Sequence, residues 1–156
     1  YLLNVAWKDT LNTGDKNKPW ADADFHLIGK LTIPRLNVSR VILSSASGEA
    51  MSWGVGSVIP FKSSSISSPI ILAGHRDTHM KFMSKLRIGD HLELQSHDGS
   101  VKSYKIVTSE VTTTPQLTLS DQTENNDKLI LTTCWPFNGV QSGPERYVMI
   151  GEPLNI

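Results

Sequence analysis

The chain has 156 residues, 38% of them hydrophobic, with 15 basic and 15 acidic side chains and a formal net charge of zero. That length suits one domain, which buries roughly 70% of its unfolded surface and does not need disulfides to fold. Zero net charge without a basic stripe argues against nucleic acid as a partner, and no stretch reaches the roughly 18 apolar residues that span a bilayer.

The chain opens Tyr1-Leu2-Leu3-Asn4-Val5-Ala6-Trp7, mildly apolar and without an initiating Met, which is the expectation for a trimmed or processed chain that a signal or anchor could have preceded. Residues 1–13 are expected to form one short helix, and 14–24 an extended surface segment. From Leu27 onward β-branched and apolar runs predict strands at 28–33, 38–43, 69–73, 91–96, 101–111, 127–133 and 146–151. The serine cluster at 63–68 reads as a loop. Met80 to Leu86 reads as a helical turn or two before Gly89 and Asp90, and His97-Asp98-Gly99-Ser100 carries the Asp-Gly signal of a hairpin. Many short strands separated by turn residues predict an all-β chain with a small helical contribution, folded as a closed barrel or a sandwich.

Chemistry concentrates at three places. Cys134, the single cysteine, follows the run Leu129-Ile130-Leu131-Thr132-Thr133 and precedes a turn containing Pro136, Asn138 and Gly139. A lone thiol forms no internal disulfide, and at a strand end it is held rigidly yet within reach; the alternative is a small buried hydrophobe. His75 follows the strand 69–73 and Gly74, which is expected to let the backbone turn sharply and aim the imidazole across a cleft as a proton shuttle. Arg146 starts the apolar run Tyr147-Val148-Met149-Ile150, where a permanent cation can steady an oxyanion; otherwise it pairs with Glu145 or Glu152. The twelve-residue gap between Cys134 and Arg146 fits strand, loop and adjacent antiparallel strand, with both side chains at neighbouring strand ends. His75 and His79 have the spacing of a zinc-binding helix, but Arg76 stands where the general base would be and no third ligand follows, so no metal is expected. Asp77 and His79 read as residues that orient the loop or His75.

Taken together these segments resemble the sortase family of cysteine transpeptidases. The resemblance rests on Leu31-Thr32-Ile33-Pro34-Arg35-Leu36, Ile71-Leu72-Ala73-Gly74-His75-Arg76-Asp77-Thr78-His79, Gly89-Asp90, Leu131-Thr132-Thr133-Cys134-Trp135-Pro136-Phe137 and Glu145-Arg146-Tyr147-Val148, across roughly residues 27–152. The Pro19-Trp20-Ala21-Asp22 segment and the Ala-Gly-His-Arg-Asp-Thr-His form look like the sortases of Gram-negative, often marine, proteobacteria.

What the resemblance implies is a closed eight-stranded β-barrel over residues 27–156, preceded by a helical or extended segment at 1–26. It implies that Cys134 attacks a backbone carbonyl in a C-terminal sorting signal of the Leu-Pro-x-Thr-Gly type, giving a thioacyl enzyme that an amine resolves. His75 is then the general acid and base, and Arg146 binds the substrate backbone and steadies the oxyanion. Thr133, Trp135, Asp77 and His79 are expected on the substrate side, and the segments 112–126 and 135–145 as pocket walls. No cofactor is implied. The partners are a substrate protein bearing the sorting signal and an amine acceptor on a surface or envelope component. An N-terminal anchor in the inner membrane, with the catalytic domain in the periplasm, completes the expectation. Departures from the family pattern are the serine cluster ahead of the His strand and Trp135 where many members carry Tyr. A cysteine peptidase passing the acyl group to water, and a non-catalytic β-barrel binding module, remain alternatives.

Overall fold

Short strands with one apolar face cannot leave that face in water, and here they bury it by closing on themselves. The computed structural model describes residues 2–13, 25–58, 70–113, 127–137 and 145–154. In chain order these hold α1 (Leu2–Thr13), β1 (Leu27–Ile33), a 3₁₀ turn (Pro34–Leu36), β2 (Val38–Leu43), α2 (Gly48–Trp53), β3 (Val55–Ser57) and β4 (Ile70–Ala73). A second 3₁₀ turn (Lys81–Ser84), β5 (His91–Ser96), β6 (Val101–Thr113), β7 (Leu129–Cys134) and β8 (Glu145–Pro153) follow. The eight strands form a closed barrel in the order β1-β2-β3-β4-β7-β8-β6-β5. All neighbours are antiparallel except β2 with β3 and β4 with β7.

Inward-facing side chains from every part of the ring fill the interior, among them Leu31, Leu72, Leu94, Ile106, Leu131 and Met149. A second cluster seats α1 on the barrel wall: Ala6 and Trp7 pack with Phe25, Leu27, Leu43 and Ala50. Among the described residues no helix is long and apolar enough to cross a membrane.

Two elements escape the sequence reading. α2 has six residues, too few for a period to show; its N-cap Ser47 accepts a hydrogen bond from the Ala50 amide. β3 has three residues, and its Gly56 lies so close to the neighbouring segment that an added Cβ would meet the Ser45 carbonyl oxygen at 2.3 Å. Only the assembled barrel makes that stretch a strand. The extended segment expected at 14–24 and the serine loop at 63–68 lie outside the described residues. The hairpin at 97–100 is present: Gly99 has φ 89°, and the Asp98 carboxylate accepts from the Ser100 amide at 3.0 Å.

The Ile-Pro-Arg and Gly-Asp pieces of the sequence have a structural reason. Arg35 forms a two-pronged ion pair with Asp90, Nε to Oδ1 at 2.7 Å and Nη2 to Oδ2 at 2.8 Å. The same guanidinium donates to the Lys85 carbonyl at 2.6 Å, and the Arg87 amide donates to Asp90 Oδ2 at 2.8 Å. Gly89, at φ 97°, takes the left-handed turn that brings the carboxylate round. The hydrogen bonds from Arg35 hold the Asp90 carboxyl below the ordinary carboxylate range. A group depressed in this way stabilises the folded state above its unfolded pKa and stops doing so as pH falls through its folded pKa. Asp90→Asn is therefore expected to lower the melting temperature at pH 7, and the gap to the wild-type chain to close as pH falls below about 4. Thermal unfolding by circular dichroism across pH 3–7 checks this.

Candidate active site

β7 is the backbone of the site. Its run Leu-Ile-Leu-Thr-Thr is buried on both faces, with Leu129 and Leu131 inside the barrel and Ile130 and Thr132 on the opposite face. Cys134 ends the strand, half-buried and on the same face as Thr132. On one side β7 pairs antiparallel with β8, and the last pair in register is Cys134 with Arg146. Directly opposed residues share a face of the sheet, with Cβ atoms about 4.5–5.5 Å apart. The Arg146 Nη1 donates to the Glu145 carbonyl at 2.9 Å, which anchors the guanidinium at the rim.

On its other side β7 runs parallel to β4, and their last pair is Thr132 with Ala73. His75 and Cys134 each lie two residues beyond that pair, so parallel pairing brings both to one rim. Thr133 ties the two segments together: its hydroxyl, 3% exposed, donates to the Gly74 carbonyl at 2.8 Å. Gly74 does not have a positive φ; among the described glycines that occurs at Gly89 and Gly99. Close packing is what excludes a side chain, since a Cβ at Gly74 would meet Met80 Cγ at 2.5 Å, and Met80 is fully buried.

From His75 the chain folds back in a tight turn. The His75 carbonyl accepts from the Thr78 amide at 3.3 Å and the Met80 amide at 3.0 Å. The imidazole at 75 is exposed. His79 lies partly buried against α2. Burial pushes its pKa down, the neighbouring Arg40 and His75 side chains push it further, and a hydrogen bond to the Ser52 backbone opposes them. Asp77 is largely exposed, 3.9 Å from the Nε of the buried Arg76.

Trp135 stacks on Tyr147 at 5.2 Å and 25°, and Phe137 meets both rings edge-on at 5.4 and 5.1 Å. Tyr147 and Phe137 pack in turn on the barrel core. The aromatic group fixes the segment that leaves Cys134. Phe137 and Tyr147 lie within the sequence motifs, which give them no role of their own; Tyr147, register partner of Thr133, follows Arg146 and turns to the inward face. Among the described residues no group of His, Cys, Asp or Glu is arranged to hold a metal. Most of the expected pocket walls, 114–126 and 138–144, lies outside the described residues.

The barrel thus carries Cys134, Arg146 and the His75 turn at one rim. The Sortase domain family matches residues 31–154. A curated relative, "Sortase D" of Bacillus subtilis (strain 168), is 31% identical over 124 residues, which cover 80% of this chain and 62% of that protein. Sortase C from Clostridium perfringens SM101 superposes with a TM-score of 0.70 at 21% identity, over 99% of this chain and 86% of that one. The catalytic domain of SrtD from B. anthracis gives 0.64 at 27% identity, over 83% and 88%. The chain belongs to the sortase family. It has the closed eight-stranded barrel that the resemblance implied.

Thr133→Val keeps the side-chain shape but leaves the buried Gly74 carbonyl without its donor. Such a loss costs about 1–3 kcal/mol, so denaturant unfolding should show the variant destabilised by that order and Thr133→Ser close to the wild type. A Thr133→Val curve that overlays the wild type would contradict the importance of this bond.

Proposed function

We propose that the chain is a cysteine transpeptidase acting on a C-terminal sorting signal of the Leu-Pro-x-Thr-Gly type. The observation that carries the reading is the register. Cys134 faces Arg146 across one strand pair, and the turn bearing His75 is tied to the other side of β7 through Thr133. Acyl transfer by a thiol needs a nucleophile, an oxyanion stabiliser and a proton carrier, and the rim offers one of each.

In this reading the Cys134 thiolate attacks the carbonyl carbon of the Thr-Gly bond. The oxygen takes up the electron pair and lies beside the Arg146 guanidinium. His75 delivers a proton to the glycine nitrogen, the C–N bond breaks, and a thioester remains on Cys134 while the glycine end leaves as an amine. An incoming amine attacks the thioester, His75 takes its proton, and the Cys134 thiolate departs as the new amide forms. The chain spans 62% of its Bacillus relative, and the substrate, the acceptor and the thioester route are the content of the proposal. We also place the barrel in the periplasm behind an inner-membrane anchor. That placement rests on the Pro-Trp-Ala-Asp and Ala-Gly-His-Arg-Asp-Thr-His segments, and protease accessibility in spheroplasts tests it.

The test is to incubate the chain with Leu-Pro-x-Thr-Gly peptides and an amine, following products and intact protein mass. Cys134→Ala is expected to abolish the acyl adduct. His75→Ala should slow turnover by about 10²–10⁴-fold, and Arg146→Ala by about 10²–10³-fold. Amine-ligated peptide supports transpeptidation; free acid as the sole product, with amine in excess, points to a peptidase. Turnover that survives Cys134→Ala would sink both.

A further inference from the structure

Arg40 occupies a strand position where an apolar side chain is the usual choice. Its register partner on β1 is Leu31, fully buried in the core, and paired residues share a face of the sheet. A charge facing that way is costly unless its donors are engaged. Here Nε donates to the His79 carbonyl at 3.1 Å, and Nη1 donates to the Ser39 carbonyl at 2.9 Å. The guanidinium carbon lies 5.8 Å from the centre of the Phe82 ring.

Two of these contacts converge on one piece of chain. His79 closes the turn that begins at His75, and Phe82 belongs to the 3₁₀ turn that continues it. The opposite end of the same turn is tied to β7, where Thr133 holds the Gly74 carbonyl. His75 therefore sits between two side-chain anchors on different barrel strands, one at the residue before it and one four residues after. Met80 packs beneath Gly74 and fills the space between.

We propose that Arg40 is a positioning residue for His75: by fastening the His79 carbonyl and the Phe82 ring to β2, it fixes the turn that presents the imidazole at the Cys134 rim. It touches no reacting atom. The inference rests on the transpeptidase reading above, so its test carries one readout that needs no turnover.

That readout is amide hydrogen exchange by NMR in the wild-type chain, Arg40→Met and Arg40→Lys, beside the rate of Cys134 acylation by a Leu-Pro-x-Thr-Gly peptide. In Arg40→Met the Thr78 and Met80 amides should exchange about tenfold faster, the size expected for one lost hydrogen bond, while those of Ile130 and Leu131 stay unchanged. The acylation step should fall about tenfold at saturating peptide, with KM within about twofold. Arg40→Lys, which keeps the stem and one donor, should fall between. Unchanged exchange overturns the proposal. Faster exchange with an unchanged acylation rate also overturns it, because Arg40 would then be only structural. If the wild-type chain takes no acyl group from any peptide in the pool, the transpeptidase reading fails, and the positioning role fails with it. Should Arg40→Met not fold, Phe82→Leu, which removes the ring facing the guanidinium, is read in the same way beside Arg40→Lys.

Discussion

The parallel pairing of β4 with β7 is the constraint on which the site depends. An all-antiparallel barrel could be built from hairpins, and each strand would then point its end away from the end of its neighbour. Two parallel strands place their carboxyl ends side by side, and here those ends carry His75 and Cys134. The antiparallel pairing of β7 with β8 does the complementary thing, because the first residues of β8 lie beside the last of β7. One strand with one parallel and one antiparallel neighbour thus gathers three distant stretches of chain at a single rim.

That arrangement needs a rigid β7, and its burial on both faces supplies it. Leu129 and Leu131 belong to the interior while Ile130, Thr132 and Val148 are buried on the other side. A strand packed in this way has little freedom to shift register, since a slip of one residue would exchange its two faces. Cys134 inherits that rigidity. His75 stands on a turn, where such support is missing, and the structure provides it through side chains: Thr133 from β7, Arg40 from β2 and the buried Met80 beneath Gly74. Cys134 thus stands on a rigid strand and His75 on a turn braced from three sides.

Some residues that recur in the sequence motifs have a part in holding the fold. Arg35 and Asp90 are far apart in the chain and meet as an ion pair that fastens the 3₁₀ turn after β1 to the entry of β5. Trp135, expected on the substrate side, is stacked on Tyr147 and edge-on to Phe137. Its packing secures the chain as it leaves Cys134.

Local chemistry made much of this legible from residues alone. β-branched and apolar runs declare most of the strands, and the Asp98-Gly99 pair declares a hairpin, because these preferences act within a few residues. The placement of Cys134 at a strand end, and of Arg146 on the strand beside it, follows from run length and spacing. What tertiary structure alone decided are the features that depend on partners distant in the chain. β3 exists because Gly56 can approach Ser45, and three residues carry no period to announce it. Gly74 is required by Met80 packed against it, and no local turn preference reveals that. Arg40 meets the His79 carbonyl, 39 residues on, only once the barrel has closed. Propensity is a property of neighbours in sequence, whereas contact across a closed sheet is a property of the whole ring.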